Sequence, residues 1–365
     1  MYDVHVIGAG PSGSFAAATA AKNGHNVLLS EEHASIGRPV ACSGLVSKSG
    51  LEAMSDLVDY KKISLNNING AIVYAADFRF DIQAAEGDKA HVIDRGAFDV
   101  LAAQAAQSQG VRISTGDRVS AGQYKATNVI AADGPNSATA RHFNFPKMQK
   151  HVICCQAEYE FDCDDTHKVQ AYLSPSRYPG FFGWAIPNGD GSAKIGMGAR
   201  LPHNISASFA AFTKRLGLEG KKSEGFLSAV IPISTRAKTA GRFGHTNVLL
   251  VGDAAGQVKA TTGGGIFFGA SCGRAAGANF ENPQAYERAW RGAYGAELAA
   301  HAAVYDAMHS LGIVGHHMFF AGAKIFGAEK FLSKYGQMDM ITKTFSLRNF
   351  TQYLLADSKV PKGTS

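Results

Sequence analysis

Several absences bound what this chain can be. Its five cysteines, Cys42, Cys154, Cys155, Cys163 and Cys272, form no C-x-x-C pair. Their odd number argues against a secreted disulfide framework or a zinc cluster, so a reducing cytoplasm is the expected compartment. His309, His316 and His317 lack a matching carboxylate arrangement, and no metal centre is expected. No dense Lys/Arg patch with interleaved aromatics occurs, so no nucleic-acid partner is expected. The net charge of +6 is a mild excess, compatible with anionic membranes or phosphorylated substrates. The longest apolar stretches, Leu249 to Ala255 and Met318 to Ala323, fall far short of the ~20 residues that span a bilayer. Any membrane contact is therefore expected to be peripheral. No basic segment followed by a cleavable apolar run precedes the first strand, so the N-terminus reads as structure rather than as an address. Low-complexity tracts are missing too, which argues against extended disorder.

What is present is globular material. The 365 residues, 45% hydrophobic and 18% charged, exceed the usual single-core limit and imply two interlocked domains. Forty-one glycines suggest many tight turns, or backbone that approaches a ligand closely.

Tyr2 to Ile7 reads as a buried strand, followed at once by Gly8-Ala9-Gly10-Pro11-Ser12-Gly13 and an Ala-rich helix from about Ser12 to Asn23. In such a strand–turn–helix unit Gly8 permits the tight turn and Gly10 lets the backbone approach a pyrophosphate. Gly13 lets helix and strand pack closely, and the helix N-terminus attracts the phosphate charge. Gly24 ends the helix, and Val27 to Glu31 supplies a second strand whose terminal carboxylate lies 23 residues beyond Gly8. Glu31 is the expected ribose acceptor, with Glu32 as the adjacent competitor.

Two later segments repeat the pattern of apolar strand and polar turn. Val129 to Ala132 leads into Asp133-Gly134, and Asn247 to Val251 leads into Gly252-Asp253. Gly263-Gly264-Gly265-Ile266 then opens another small-residue helix. The order of these segments resembles the FAD-dependent group that includes aromatic hydroxylases, geranylgeranyl reductases and flavin-dependent halogenases, over roughly residues 1 to 290. The resemblance implies FAD rather than NAD as cofactor, with Asp133 and Gly134 near the flavin and Asp253 on the ribityl chain. The helix N-terminus at Gly263 to Ile266 can stabilise negative charge on reduced flavin. Arg95 matches an arginine that the group places near the cofactor; its plain alternative is a surface arginine at a helix start. Only one G-x-G-x-x-G with its carboxylate occurs, so the reductant must be an external donor: ferredoxin, a deazaflavin or NAD(P)H.

Gly37 to Ser47 contains Cys42-Ser43-Gly44, which looks like the Cys-x-Gly segment of the geranylgeranyl reductase family. Pro179 to Pro187 looks like that family's Tyr-x-Trp-x-Phe-Pro substrate motif. Trp184 and Pro187 match, while Phe182 replaces the tyrosine and Ile186 the phenylalanine. Phe181, Phe182, Trp184, Ile186 and Pro187 are the expected substrate residues; ordinary core packing is the alternative. Cys42, Ser43 and Gly44 are placed by the resemblance beside the cofactor, with Cys42 a candidate catalytic residue or simply a buried small hydrophobe.

The expected fold is α/β: a Rossmann-like FAD-binding domain (1–66, 90–150 and 240–290), an inserted antiparallel sheet forming a substrate domain (67–89 and 151–239), and a C-terminal helical region (291–365). Strands are read at Asn69 to Gln83, His151 to Asp162, His167 to Leu173, Phe181 to Pro187, Ser192 to Ala199 and Phe226 to Ile233. Leu311 to Phe331, with Lys324, Lys330 and Lys334, reads as a tunnel lining, a patch resting on the bilayer, or a helical cap. The resemblance implies an isoprenoid lipid substrate, with an archaeal membrane glycerolipid as the first choice, whose prenyl double bonds are saturated by hydride from flavin N5 and a proton. Aromatic faces can stabilise cationic character during that step. A monooxygenase of the same architecture and a non-catalytic FAD- or lipid-binding module are the alternatives.

Overall fold

The computed structural model describes residues 1–40 and 42–357; Ala41 and residues 358–365, the end of the expected C-terminal helical region, lie outside the described residues. Val4–Ile7 is buried along its whole length, as a strand covered on both faces must be. Its one polar residue, His5, is neutralised by burial, which lowers its pKa to about 4, and it meets the Ser30 hydroxyl at 2.9 Å. The strand pairs in parallel with Val27–Ser30 and with Asn128–Ala131. The complete sheet runs in the order Ala240–Phe243, Thr246–Leu250, Asn128–Ala131, Val4–Ile7, Val27–Ser30, Arg112–Ser114. Only its edge pair, Ala240–Phe243 with Thr246–Leu250, is antiparallel. Ile7 and Leu250 both stand in register with Ala131. The turns that follow three neighbouring strands, at Gly8, Asp133 and Asp253, therefore emerge side by side at the carboxyl edge, where ligands bind in such sheets.

Helix Pro11–Lys22 packs against helix Ile266–Asn279 through glycine. A Cβ on Gly273 would lie 2.2 Å from the Ser12 carbonyl oxygen, and one on Gly277 would lie 2.2 Å from that of Ala16. No larger residue can stand at either position without moving the backbone.

A seven-stranded sheet runs Ser223–Pro232, His151–Glu160, Ser192–Arg200, Gly183–Pro187, Lys168–Leu173, Gly70–Ala75, Phe78–Gln83. It departs from the expected insert in two ways. The stretch read as one strand from Asn69 to Gln83 is a hairpin, turning at Ala76 with φ 52°. In addition, Lys168–Leu173 lies parallel to Gly70–Ala75. The chain leaves this sheet after the hairpin and returns only at residue 151, so no tight turn dictates antiparallel pairing there. A small third sheet, Leu45–Ser47, Ala90–Ile93 and Ser64–Ile68, was not expected from the sequence and joins the other two.

The outer face of the large sheet packs Cys155, Ala157, Ile195 and Met197 against Phe209 and Phe212, which belong to helix Ile205–Arg215. By strand alternation Cys154, Gln156, Lys194, Gly196 and Gly198 stand on the inner face. C-terminal to the sheets, Pro283–Trp290, a π-helical turn at Arg291–Gly295 and Ala296–Ser310 form one helical run. Gly312–Phe326 and Ala328–Tyr335 follow, separated at Gly327, whose φ is 77°. The described residues end with helices at Ile341–Thr344 and Leu347–Asp357. Among the described residues, no helix is long and apolar enough to cross a membrane.

Candidate active site

The glycine turn shows a division of labour among its members. A Cβ on Gly8, whose φ is 97°, would lie 2.4 Å from the Ala132 carbonyl oxygen, and one on Gly13 would lie 1.9 Å from the Gly8 carbonyl oxygen. Gly10, by contrast, has nothing within 4 Å on its Cβ side. Backbone therefore closes the turn on two sides and leaves open the side on which a diphosphate would approach. Pro11 begins the helix and no side chain caps it. The Ser12 hydroxyl is turned inward: a Cβ on Gly252 or Gly269 would lie 2.2 or 2.4 Å from its oxygen. The Glu31 carboxylate accepts from Ala9 N at 2.8 Å and from His33 N at 3.0 Å. Glu32 is not brought to the turn; it is exposed and pairs with Arg118 at 3.6 Å. Carboxylates at adjacent strand-end positions point apart, and Glu31 has the inward parity.

Among the buried polar atoms without a hydrogen-bond partner in the described residues are Asp133 Oδ1, Arg95 Nε and Asp99 Oδ1. The other Asp133 oxygen accepts from Thr139 N at 3.0 Å. Arg95 is paired with Asp99 one helical turn along. Asp253 lies in the same charge field, where burial pushes its carboxyl up to about 6 against the pull of Arg95. Orphaned acceptors beside a carboxyl this easily protonated suit hydroxyl-bearing groups such as those of a ribityl chain. Gly263, Gly264 and Gly265 lead into the helix that begins at Ile266, and among the described residues no side chain caps it. Its first N–H groups remain available to negative charge.

The Cys42 loop is pinned at both ends by glycine. A Cβ on Gly37 would lie 2.4 Å from the Gly96 carbonyl oxygen, and one on Gly44, at φ 73°, would lie 2.3 Å from that of Ile93. Gly44 N donates to Cys42 Sγ at 3.4 Å. The thiol is thus held beside Arg95, whose guanidinium is within its electrostatic reach. Lys194 crosses from the large sheet to the same loop and donates to the Ser43 carbonyl at 3.0 Å.

The aromatic segment divides into two parts. Phe181 and Phe182 stack at 4.4 Å, and both line a cavity of about 190 Å³ with Leu173, Pro175, Val304 and Met308. The Phe181 ring also lies 3.3 Å from the Cβ position of Gly263, so the cavity adjoins the flavin-type loop. Trp184 spreads its indole over Gly196, where a Cβ would lie 2.4 Å away, and donates to Gln156 Oε1 at 3.0 Å. Ile186 and Pro187 do not line the cavity. Ile186 packs with Ile68, Ala90 and Val92, and Pro187 is buried with its carbonyl accepting from Asn66 Nδ2 at 3.0 Å. Of the five expected substrate residues, Phe181 and Phe182 line the cavity, while Trp184 and Ile186, two residues apart, project from the same side of the strand and pack beside one another.

Sequence reasoning passed over Asp99, Gln156 and Lys194. Asp99 had a signal, its four-residue spacing from Arg95 on a helix. Gln156 and Lys194 had none, since their importance depends on which face of the strand looks inward.

Taken together, a glycine-walled turn, the inward carboxylate of Glu31, the buried carboxyl of Asp253 and the uncapped helix at Ile266 suit the cofactor crevice of an FAD-dependent oxidoreductase. The residues present fit FAD in both their open side and their orphaned polar atoms. Residues 3–163 match the family described as FAD dependent oxidoreductase. The chain is 32% identical over 304 residues, 76% of its own length and 79% of the relative's, to digeranylgeranylglycerophospholipid reductase 1 of Methanopyrus kandleri. The chain belongs to the digeranylgeranylglycerophospholipid reductase family. Its fold is shared with the crystal structure of a geranylgeranyl bacteriochlorophyll reductase-like protein from Thermoplasma acidophilum (TM-score 0.69, 23% identity, covering 99% of this chain and 97% of that one). A flavin-dependent brominase has the same fold (TM-score 0.66, 17% identity, covering 98% and 99%).

The raised Asp253 carboxyl has a measurable consequence. With the folded value near 6 and the unfolded value near 3.8, the native apoprotein holds this proton longer, so its stability falls as pH rises from about 4 to 6. Asp253→Asn is expected to melt a few degrees higher than the native apoprotein at pH 7.5 and equally at pH 4. The same variant is expected to bind FAD about tenfold more weakly by fluorescence titration. Lower stability at both pH values would contradict this.

Proposed function

We propose that this enzyme saturates prenyl double bonds in isoprenoid lipids, with a geranylgeranyl-bearing archaeal glycerolipid as its substrate. The observation that carries the reading is the apolar, aromatic-walled cavity at Phe181 and Phe182, which adjoins the Gly263 loop of the cofactor crevice. The named activity of the Methanopyrus kandleri relative supports the same substrate class. Bound and reduced, FAD supplies a hydride, and an external donor restores its electrons. The protein's part is to exclude water, hold the chain against aromatic faces and deliver a proton. An isolated alkene has no carbonyl to accept developing charge, so cationic character must be tolerated where Phe181, Phe182 and Trp184 present their rings. The missing tyrosine hydroxyl at position 182 leaves this apolar role intact.

The C-terminal helices provide the means of approach. Ile313, Val314, Met318, Ile325 and Leu347 are each more than two-thirds exposed. They share the surface with exposed Lys330, Lys334, Lys343 and Arg348. Apolar side chains interleaved with cations suit an anionic lipid surface, and helix Gly312–Phe326 adjoins the cavity through His316.

Anaerobic incubation of the reduced enzyme with digeranylgeranylglyceryl phosphate is expected to add two mass units per double bond. Oxygen consumption stoichiometric with reductant would favour a monooxygenase, and flavin reduction without substrate-driven reoxidation would favour a binding module. Cys42→Ala is expected to lower anaerobic turnover about tenfold or more; a near-normal rate removes the thiol from the chemistry. Val314→Asp with Ile325→Asp is expected to abolish co-sedimentation with anionic phosphatidylglycerol vesicles while FAD content stays unchanged. Undiminished sedimentation would move the membrane contact elsewhere.

A further inference from the structure

A buried alkene that is to be saturated needs a Brønsted acid, and the inner face of the large sheet carries one over the Cys42 loop, on the strand that also backs the Phe181 ring. Strand Ser192–Arg200 sends Ala193, Ile195, Met197 and Ala199 into the outer core. Lys194, Gly196 and Gly198 therefore form a row on the opposite face. The two glycines in that row are each covered by an aromatic ring. A Cβ on Gly196 would lie 2.4 Å from the Trp184 indole, and one on Gly198 would lie 2.5 Å from the Phe181 ring. The row thus leads from the cavity at Phe181, beneath Trp184, to the Lys194 ammonium. That ammonium stands over the Cys42 loop: it donates to the Ser43 carbonyl at 3.0 Å and lies 3.5 Å from the Cβ position of Gly44.

We propose that Lys194 is the general acid of the reaction, a catalytic residue that protonates the prenyl alkene from the sheet side; this rests on the reductase reading above. In the balanced step the π bond is consumed. One carbon takes the hydride supplied by the cofactor. As the second C–H bond forms at the other carbon, the Lys194 N–H bond breaks and its electron pair stays on nitrogen. The neutral amine recovers a proton from solvent, and the external donor replaces the two electrons.

The surroundings suit the task. Burial lowers the Lys194 pKa, making the ammonium a better acid than a solvated lysine. The groups that oppose this shift are Cys42 on the facing loop, Glu158 on the neighbouring strand, Asp94 at the start of helix Arg95–Ser108, and Asp190 before the lysine's own strand. They pull toward the charged form, against the effect of burial. One of the ammonium's three N–H bonds goes to Ser43, so the head is oriented as well as activated.

The test uses the FAD-loaded protein, reduced anaerobically with dithionite and mixed with vesicles carrying digeranylgeranylglyceryl phosphate or its dephosphorylated diether. Lys194→Arg keeps the charge and a donor for Ser43 but cannot release a proton near neutrality; Lys194→Met loses both. Single-turnover flavin reoxidation is expected to fall about a hundredfold in both variants with either lipid. FAD affinity by fluorescence titration and the melting temperature are expected to remain near those of the native protein. The native rate is expected to fall as pH rises through the lysine titration, and that limb is expected to vanish in both variants. An arginine variant within about threefold of native would overturn the assignment and leave a loop-holding role. A loss seen only as a raised KM for the phosphorylated lipid would make Lys194 a headgroup anchor, and weakened FAD binding in both variants would make it structural. If the native protein adds no hydrogen to either lipid, the reductase reading itself falls, and Lys194 with it.

Discussion

The architecture depends on backbone touching backbone where side chains would ordinarily intervene. Gly13 brings its helix onto the Gly8 turn, while Gly273 and Gly277 bring helix Ile266–Asn279 onto helix Pro11–Lys22. Segments more than 240 residues apart in sequence are thereby locked at the shortest distance the chain permits. Because Ser12 fills the space left at Gly252 and Gly269, the diphosphate turn and the Asp253 turn cannot drift relative to one another. A methyl group at any of these positions would separate the two ends of the crevice, since close-packed interiors transmit strain rather than absorb it.

That rigidity is what allows the charges to be placed at a cost to stability. Arg95, Asp99 and Asp253 sit together, with orphaned polar atoms on Arg95 and Asp99. Burial works against each of the three charges. Such an arrangement is poor for the empty protein and good for a polyhydroxylated, doubly phosphorylated ligand that completes the hydrogen bonds. The same trade recurs on the sheet side, where Lys194 is partly desolvated between an aromatic wall and the Cys42 loop. Chemistry that must avoid water and yet move a proton requires one buried charge, and glycines at positions 196 and 198 make room for the Trp184 and Phe181 rings along the same strand.

Legibility followed locality. The positions of the glycine turn, Glu31, Asp133 and Asp253 at the carboxyl edge could be read because each belongs to a short unit of strand and turn. Arg95 could be placed by resemblance, and its partner Asp99 was readable from helix spacing alone. The aromatic segment divides in a way the sequence does not show: Phe181 and Phe182 line the cavity, while Trp184 and Ile186 share one face of the strand and pack toward Ile68, Ala90 and Val92. Composition cannot distinguish these, because an apolar residue serves a core and a lipid pocket equally well. The parallel pairing of Gly70–Ala75 with Lys168–Leu173 was equally hidden, since the two strands meet only after the chain has passed through the other domain.

By itself the sequence determined the cofactor class, the carboxyl-edge turns that receive it and the apolar character of the substrate side. The turns rest on local φ/ψ requirements of glycine, which need no third dimension, and the cofactor class rests on the family resemblance carried by the order of the strand-to-turn segments. Only the tertiary structure decided which of two adjacent carboxylates faces the turn and that Lys194 reaches the Cys42 loop. Each of those outcomes turns on the side of a strand from which a residue projects. That side is set by the register of pairing across the whole sheet, a long-range property that no single segment carries.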